Sequence, residues 1–239
     1  MSDFSTSELE RYSRQILLFG RKGQEKLKKA RVGLVGLGGL GCPALLYLSA
    51  AGVGYIRIAE FDIVECHNLS RQILFSQEDC GQRKDLQAQK KINQLNPNVT
   101  TALFGRLHEQ NMDEFAQDLH LILEGSDNLE LKFFLNDACY ASKIPLIIGA
   151  LGPEQGHVFP VFYPHACYRC VFVDVPSEEI PTCASAGVIS PMAGTLGSMM
   201  ASLAVQFLAM EMVPQDLLVV EKTRWRSIPL KLNPRCPHH

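Results

Sequence analysis

The sequence predicts an α/β fold, a doubly wound, Rossmann-like and mostly parallel sheet with an antiparallel C-terminal extension. Three observations predict it. A short apolar run, Arg31 to Val35, passes through the glycine turn Gly36-Leu37-Gly38-Gly39-Leu40-Gly41 into a small, apolar segment from Cys42 to Leu48 that reads as a helix. Strand, tight glycine turn and helix in that order open a nucleotide-binding βαβ unit. Apolar runs and helical stripes then alternate as far as residue 150, the pattern of parallel strands joined by crossover helices. Past Gly149, Gly156 to Tyr163 and Leu217 to Leu232 read as strands without such crossovers.

Each element follows from local chemistry. Glycines let the turn bend sharply and come close to a phosphate, while the free N–H groups and positive end of the following helix attract the anion. Pro43 suits the first helical turn, where its missing N–H costs nothing. Tyr55 to Ala59 reads as the second strand, and beyond it Asp62 stands about 20 residues past the turn, where an acid would meet a ribose hydroxyl. Arg83 to Leu95 reads as a helix, Val99 to Phe104 as a strand, Asn111 to Gln117 as a helix and Leu119 to Leu123 as a buried strand. Leu131, Phe134, Ala138 and Ala141 share one helical stripe before the strand Pro145 to Ile148. The apolar stretch from Met192 to Met212 contains Thr195, Ser198, Ser202, Gln206 and Glu211, which favours a buried helix over a membrane span.

A chain of 239 residues buries a sizeable core in one α/β domain. One domain over 1–239 is expected, with the nucleotide-binding part at about 30–150 and a crossover loop, metal site and antiparallel extension at about 151–239. A net charge of −2 with 20% charged residues supplies no bulk attraction to nucleic acid or to an anionic membrane, so cationic work must be local. Asp3, Glu8 and Glu10 precede any apolar run, unlike a secretory signal, which points to a cytoplasmic protein. Eight cysteines without an export signal fit reduced thiols, metal ligands or catalytic groups better than a disulfide framework.

A glycine turn alone usually signals a dinucleotide, yet the neighbouring cations exceed what a pyrophosphate on a helix end requires. Arg11-Tyr12-Ser13-Arg14-Gln15 precedes the first strand, Asn68-Leu69-Ser70-Arg71-Gln72 follows Asp62, and Gly81-Gln82-Arg83-Lys84 comes next. Two arginines and a lysine converging on one pocket suit a triphosphate whose leaving pyrophosphate gathers charge. With Ser126-Asp127-Asn128, Cys167-Tyr168-Arg169-Cys170 and Thr182-Cys183 leading into Ala186-Gly187-Val188, these motifs resemble, in order and nearly end to end, the ThiF/MoeB/HesA adenylyltransferases, relatives of the ubiquitin-activating enzymes. Leu69 to Phe75 and Trp225-Arg226-Ser227 look more like the ThiF branch than the MoeB branch.

The resemblance implies ATP with Mg²⁺ as cofactors. It assigns phosphate contacts to Gly36, Gly38, Gly39, Gly41, Arg71 and Lys84, ribose contact to Asp62, the Mg²⁺ to Asp127, and further nucleotide contacts to Asn68, Gln72 and Asn128. Each residue also has a plainer reading. Lys84 begins a helix that carries Lys90 and Lys91, which by periodicity is a solvated face. Ser126, Asp127 or Asn128 suits a helix cap. Arg14 lies outside the nucleotide fold and would be a surface arginine, whereas in the family the matching residue reaches the phosphates of a neighbouring subunit, which implies a homodimer. Where relatives commonly carry an arginine four residues beyond the Asn, this chain has Lys132, which keeps the charge and loses the planar fork.

Cys167 and Cys170 have metal-ligand spacing, and a closed tetrahedral zinc site needs two further ligands. Relatives end in a second CxxC; this chain ends Cys236-Pro237-His238-His239, so Cys236 and His239 would complete a three-Cys, one-His site, with His238 as a substitute. The alternative is a weak or empty site at a loose terminus. Cys183 lies in the polar, proline-containing stretch from Pro176 to Ala186, which reads as a surface connection. In the family the matching cysteine crosses the bound carrier and in several members links to it covalently; a spectator thiol is the plainer reading.

The resemblance implies adenylylation of the C-terminal Gly-Gly carboxylate of a small ubiquitin-fold sulfur carrier, ThiS-like for thiamine biosynthesis, or MoaD-like for molybdopterin. Arg14, Arg71, Lys84, Asp127 and Cys183 would carry the catalysis. Two other classes fit parts of the sequence, an NAD-dependent oxidoreductase and a silent scaffold for a ubiquitin-like partner. The first leaves Arg71, Lys84 and the CxxC unexplained, and the second leaves the phosphate-site residues without a purpose.

Overall fold

In the computed structural model, which describes residues 4–174 and 187–239, β1 (Arg31–Val35) lies inside an eight-stranded sheet of order β3-β2-β1-β4-β5-β6-β7-β8. β2 (Tyr55–Ala59), β3 (Thr100–Leu103), β4 (Leu121–Glu124) and β5 (Leu146–Leu151) run parallel with it. Each is reached through a helix: α3 (Gly41–Ala51), α4 (Lys84–Leu95), the short α5 (Met112–Ala116) and α6 (Leu129–Ser142). Because β2 and β4 flank β1 on opposite sides, the strand order reverses there, and the carboxyl ends of β1 and β4 diverge into a crevice suited to a ligand.

β6 (Gln155–Val161), β7 (Asp216–Glu221) and β8 (Arg224–Pro229) continue the sheet antiparallel, as the loss of crossover helices predicts. The apolar stretch from Leu217 to Leu232 is not one strand. Lys222 takes a left-handed conformation (φ 54°) and folds the stretch into a β7–β8 hairpin. The N-terminal helices α1 (Thr6–Arg11) and α2 (Ser13–Lys29), the single-turn α7 (Tyr168–Val171) and α8 (Ser190–Met210) complete the described α-helices.

Alternation along the strands builds two cores. Val32 and Leu34 of β1 and Leu121 and Leu123 of β4 pack with Leu27, Leu45, Leu48, Ile92 and Leu196 of α2, α3, α4 and α8. Val35 and Ile122 face the other way, toward Phe115, Phe133, Leu135 and Tyr168 of α5, α6 and α7. α8 is long and apolar enough to cross a membrane by length and composition. Here it buries Leu196, Met200, Ala201 and Ala204 in the first core and packs along α3, as the polar interruptions in its sequence predict.

Candidate active site

The glycine turn closes β1 onto the neighbouring β4–α6 turn. Gly36 has φ +85°, and a Cβ there would stand 3.0 Å from the Ser126 amide nitrogen, so the two turns can meet only because position 36 is glycine. Gly36, Gly38 and Gly39 line a cleft of about 940 Å³ at the carboxyl ends of the strands. Gly41 does not line it; a Cβ at that position would lie 1.9 Å from the Gly36 carbonyl oxygen, so its work is to let the turn fold back on itself. α3 has no side-chain cap, which leaves its amino end to whatever occupies the cleft.

Glu60 fastens this turn from β2. Its carboxylate accepts the Leu37 N–H at 2.7 Å and those of Phe61 and Asp62 at 2.8 and 2.9 Å, and it is buried. The sequence pattern singles out Asp62, two residues on, instead. The signal was present in Glu60-Phe61-Asp62, where one acid turns back to the backbone and the other faces the cleft. Asp62 is exposed at the cleft and pairs with Lys84 Nζ at 3.1 Å. Lys84 itself is buried in the cleft wall and stands apart from Lys90, which is exposed, and Lys91, which pairs with Asp79. The solvated-face expectation for Lys84 therefore gives way to the cleft.

The turn after β2 brings Asn68, Arg71 and Gln72 to the same cleft. Arg71 donates one N–H to the His67 carbonyl at 3.2 Å. Asn68 is buried and accepts the Glu65 N–H. Gln72 is buried, and its Oε1 has no hydrogen-bond partner among the described residues. Arg106, stacked over Phe61 at 4.5 Å, and His108 also line the cleft; neither is part of a recognisable motif.

On the opposite wall, Asn128 is the residue that caps α6, its Oδ1 accepting the Leu131 N–H at 2.9 Å. Asp127 is thereby released from capping. It is exposed at the cleft and makes no hydrogen bond or ion pair among the described residues. Its oxygens are the hard donors that Mg²⁺ prefers, so the residues present fit that ion. Lys132 departs from expectation. It lines the cleft, yet its side chain is buried and its ammonium is bound to Glu124, to the Ser126 carbonyl at 2.7 Å and to the Gly149 carbonyl at 2.7 Å, so its three N–H donors are turned to the protein. Arg14 lies exposed on α2, away from the lining of the cleft, and Cys183 falls outside the described residues.

The sulfur donors gather at the far end of α6. Ligand atoms of Cys167, Cys170, Cys236 and His239 all lie within 4.8 Å of one another. Cys167 Sγ is 3.4 Å from Cys236 Sγ and 4.0 Å from Cys170 Sγ. Three thiols and an imidazole in such a cluster fit zinc, and the C-terminus is packed rather than loose, since Cys236 is buried in the second core. Burial pushes the Cys167 thiol up to about 12 in the absence of metal, which a bound cation would reverse. His238 lies beside the cluster, its Nδ1 3.3 Å from Cys167 Sγ and its Nε2 3.3 Å from Asp137, while its ring stacks on Tyr140.

The sequence matches the ThiF family over residues 12–237. It is 39% identical to a molybdopterin-synthase adenylyltransferase of Salmonella typhimurium, over 99% of this chain and 98% of that protein. It is 37% identical to the sulfur carrier protein ThiS adenylyltransferase of Escherichia coli, over 95% of this chain and 93% of that one. Among solved structures, Escherichia coli MccB with ATP superposes with a TM-score of 0.83 at 21% identity, covering 98% of this chain and 74% of that one, a likeness of fold.

Proposed function

The chain belongs to the ThiF family, and from that membership we propose that it adenylylates the C-terminal Gly-Gly carboxylate of a ubiquitin-fold sulfur carrier in the cytoplasm. The observation that carries the reading is the cleft, where a glycine turn, Arg71 and Lys84 face an unengaged Asp127. An oxidoreductase would have no use for those cations beside the glycine turn, and relatives named adenylyltransferases match nearly the whole chain.

The carrier's carboxylate oxygen attacks the α-phosphorus of ATP, the bond from that phosphorus to the bridging oxygen of the β-phosphate breaks, and pyrophosphate leaves with the electron pair. The product is an acyl-adenylate. No general base is required, because the carboxylate is ionised near neutral pH. Gly36, Gly38 and Gly39 amides hold phosphate oxygens, Arg71 and Lys84 stabilise the departing pyrophosphate, Asp62 meets the ribose, and the orphaned Gln72 Oε1, with Asn68, orients the nucleotide. Asp127, with Asn128 beside it, would hold Mg²⁺, which when bound offsets charge on the triphosphate. Zinc held by Cys167, Cys170, Cys236 and His239 would be structural.

Arg14, exposed on α2 beside the exposed Leu17 and Leu18, supports a homodimer in which it reaches the partner's phosphates. The Cys183 thiolate would attack the carbonyl of the acyl-adenylate, forming a thioester to the carrier as the bond to AMP breaks and AMP leaves. The carrier is ThiS-like in this reading, after the motifs shared with the ThiF branch; a MoaD-like carrier is the second reading, favoured by the Salmonella relative. Carrier-dependent exchange of labelled pyrophosphate into ATP, run with a ThiS-like and a MoaD-like protein side by side, tests both. Exchange with one carrier, lost in Asp127→Ala, is the expected outcome, and absence of ATP binding would overturn the reading.

A further inference from the structure

We propose that Lys132 is a positioning residue that, through Glu124, fixes the Ser126-Asp127-Asn128 turn so that the Asp127 carboxylate stands ready for a divalent cation. This rests on the reading of Asp127 given above. Lys132 Nζ has three N–H donors, and three acceptors meet them: Glu124 Oε2, the Ser126 carbonyl and the Gly149 carbonyl. Glu124 in turn uses its other oxygen, Oε1, to accept the Ser126 N–H at 2.8 Å and the Ser126 hydroxyl. The Ser126 hydroxyl then receives the Asn128 N–H at 3.3 Å.

Every polar handle on one side of the turn is thus tied to a pair whose members are both buried, Glu124 fully and Lys132 to 4% exposure. The pair also ties the carboxyl end of β4 to that of β5. Asp127, between Ser126 and Asn128, is the one member of the three with no partner among the described residues, and it faces the cleft. A buried, fully satisfied network of this kind rigidifies what it touches. Burial pushes the Glu124 carboxyl up while Lys132 and Ser126 oppose it, so without the lysine Glu124 would take up a proton and its hold on Ser126 would weaken.

The test compares wild type, Lys132→Met, Lys132→Arg, Glu124→Gln and Asp127→Ala, each checked for folding by thermal melting. Mn²⁺ binding is read by electron paramagnetic resonance with a non-hydrolysable ATP analogue, and analogue affinity is read separately without metal. Lys132→Met and Glu124→Gln are expected to weaken Mn²⁺ by about tenfold or more, the usual effect of losing a group that orients a ligand. Metal-free analogue affinity should be unchanged, Lys132→Arg should restore much of the loss, and Lys132→Met should add nothing in an Asp127→Ala background. If Lys132→Met does not fold, Glu124→Gln carries the comparison. A folded Lys132→Met or Glu124→Gln with wild-type Mn²⁺ affinity overturns the proposal. So does weakened metal-free binding in Lys132→Met with Glu124→Gln silent, which would put Lys132 on the phosphates. Failure of the wild type to bind the analogue at all would instead sink the reading of the cleft.

Discussion

His157 should make the protein acid-sensitive in a definite window. The side chain sits half-buried on β6, stacked on Phe172 with ring centroids 5.2 Å apart, and its Nε2 is 3.3 Å from the Tyr168 hydroxyl. Burial, with the charge of Lys132 added, pushes its pKa from 6.5 down to about 4. In that interval the unfolded chain carries a proton that the folded chain refuses, so the contribution is fully present above pH 6.5 and is lost as pH falls toward about 4. One proton is worth about 1.4 kcal/mol per pH unit, so between neutrality and pH 4.5 the loss approaches about 2.5 kcal/mol, less for the part of the ring that water reaches. Urea unfolding of wild type and His157→Phe at intervals from pH 4.5 to 7.5 isolates it. Glu8 and Asp79, whose carboxyls Lys28 and Lys91 with their serine caps hold low against burial, titrate alike in both proteins. The gap between the two should close by about 2 kcal/mol on acidification. Parallel curves would refute the reasoning.

Lys84→Met should lower carrier-dependent exchange by about two orders of magnitude or more, the scale expected when a preorganised charge is removed, while Lys90→Met should leave it unchanged. Zinc analysis should find metal in the wild type and a loss in Cys236→Ser, with a lowered melting temperature; His239→Ala should lose more metal than His238→Ala if the four-residue cluster is the ligand set. Gly41→Ala forces a Cβ against the Gly36 carbonyl and should cost about 1–3 kcal/mol by chemical denaturation, with exchange falling further because the turn must move.

Much of the sheet was legible because each parallel strand and its helix announce themselves by period. The β7–β8 hairpin was not, since its turn is made by a left-handed Lys222 and no glycine or Asn-Gly pair marks it. At the site, residues whose work is done by a short motif were readable: Gly36, Asp62, Arg71, Lys84 and Asp127 all reach one cleft. Glu60 was missed because Asp62, two residues on, offers the same carboxylate at the place expected for a ribose contact, and Arg106 and His108 because nothing in their neighbours tells a cleft residue from an exposed one.

Lys132 shows how much a departure from a family pattern leaves open. The resemblance marked it as the place of an arginine, and the lysine left any bidentate contact there in doubt. On α6, however, four residues after the cap is one turn along and faces inward, toward β4 and β5. The same helix continues the pattern: Asn136 accepts the Tyr168 N–H at 2.7 Å, Asp137 binds Arg169 at 2.7 and 2.8 Å and His238 at 3.3 Å, and Tyr140 stacks on His238. One face of α6 therefore holds the turn with Asp127 at its start and the cysteine cluster at its end. Loosening the cluster would disturb the contacts of Asn136, Asp137 and Tyr140 with Tyr168, Arg169 and His238, while Lys132 and the Asn128 cap still tie the start of the helix to the cleft.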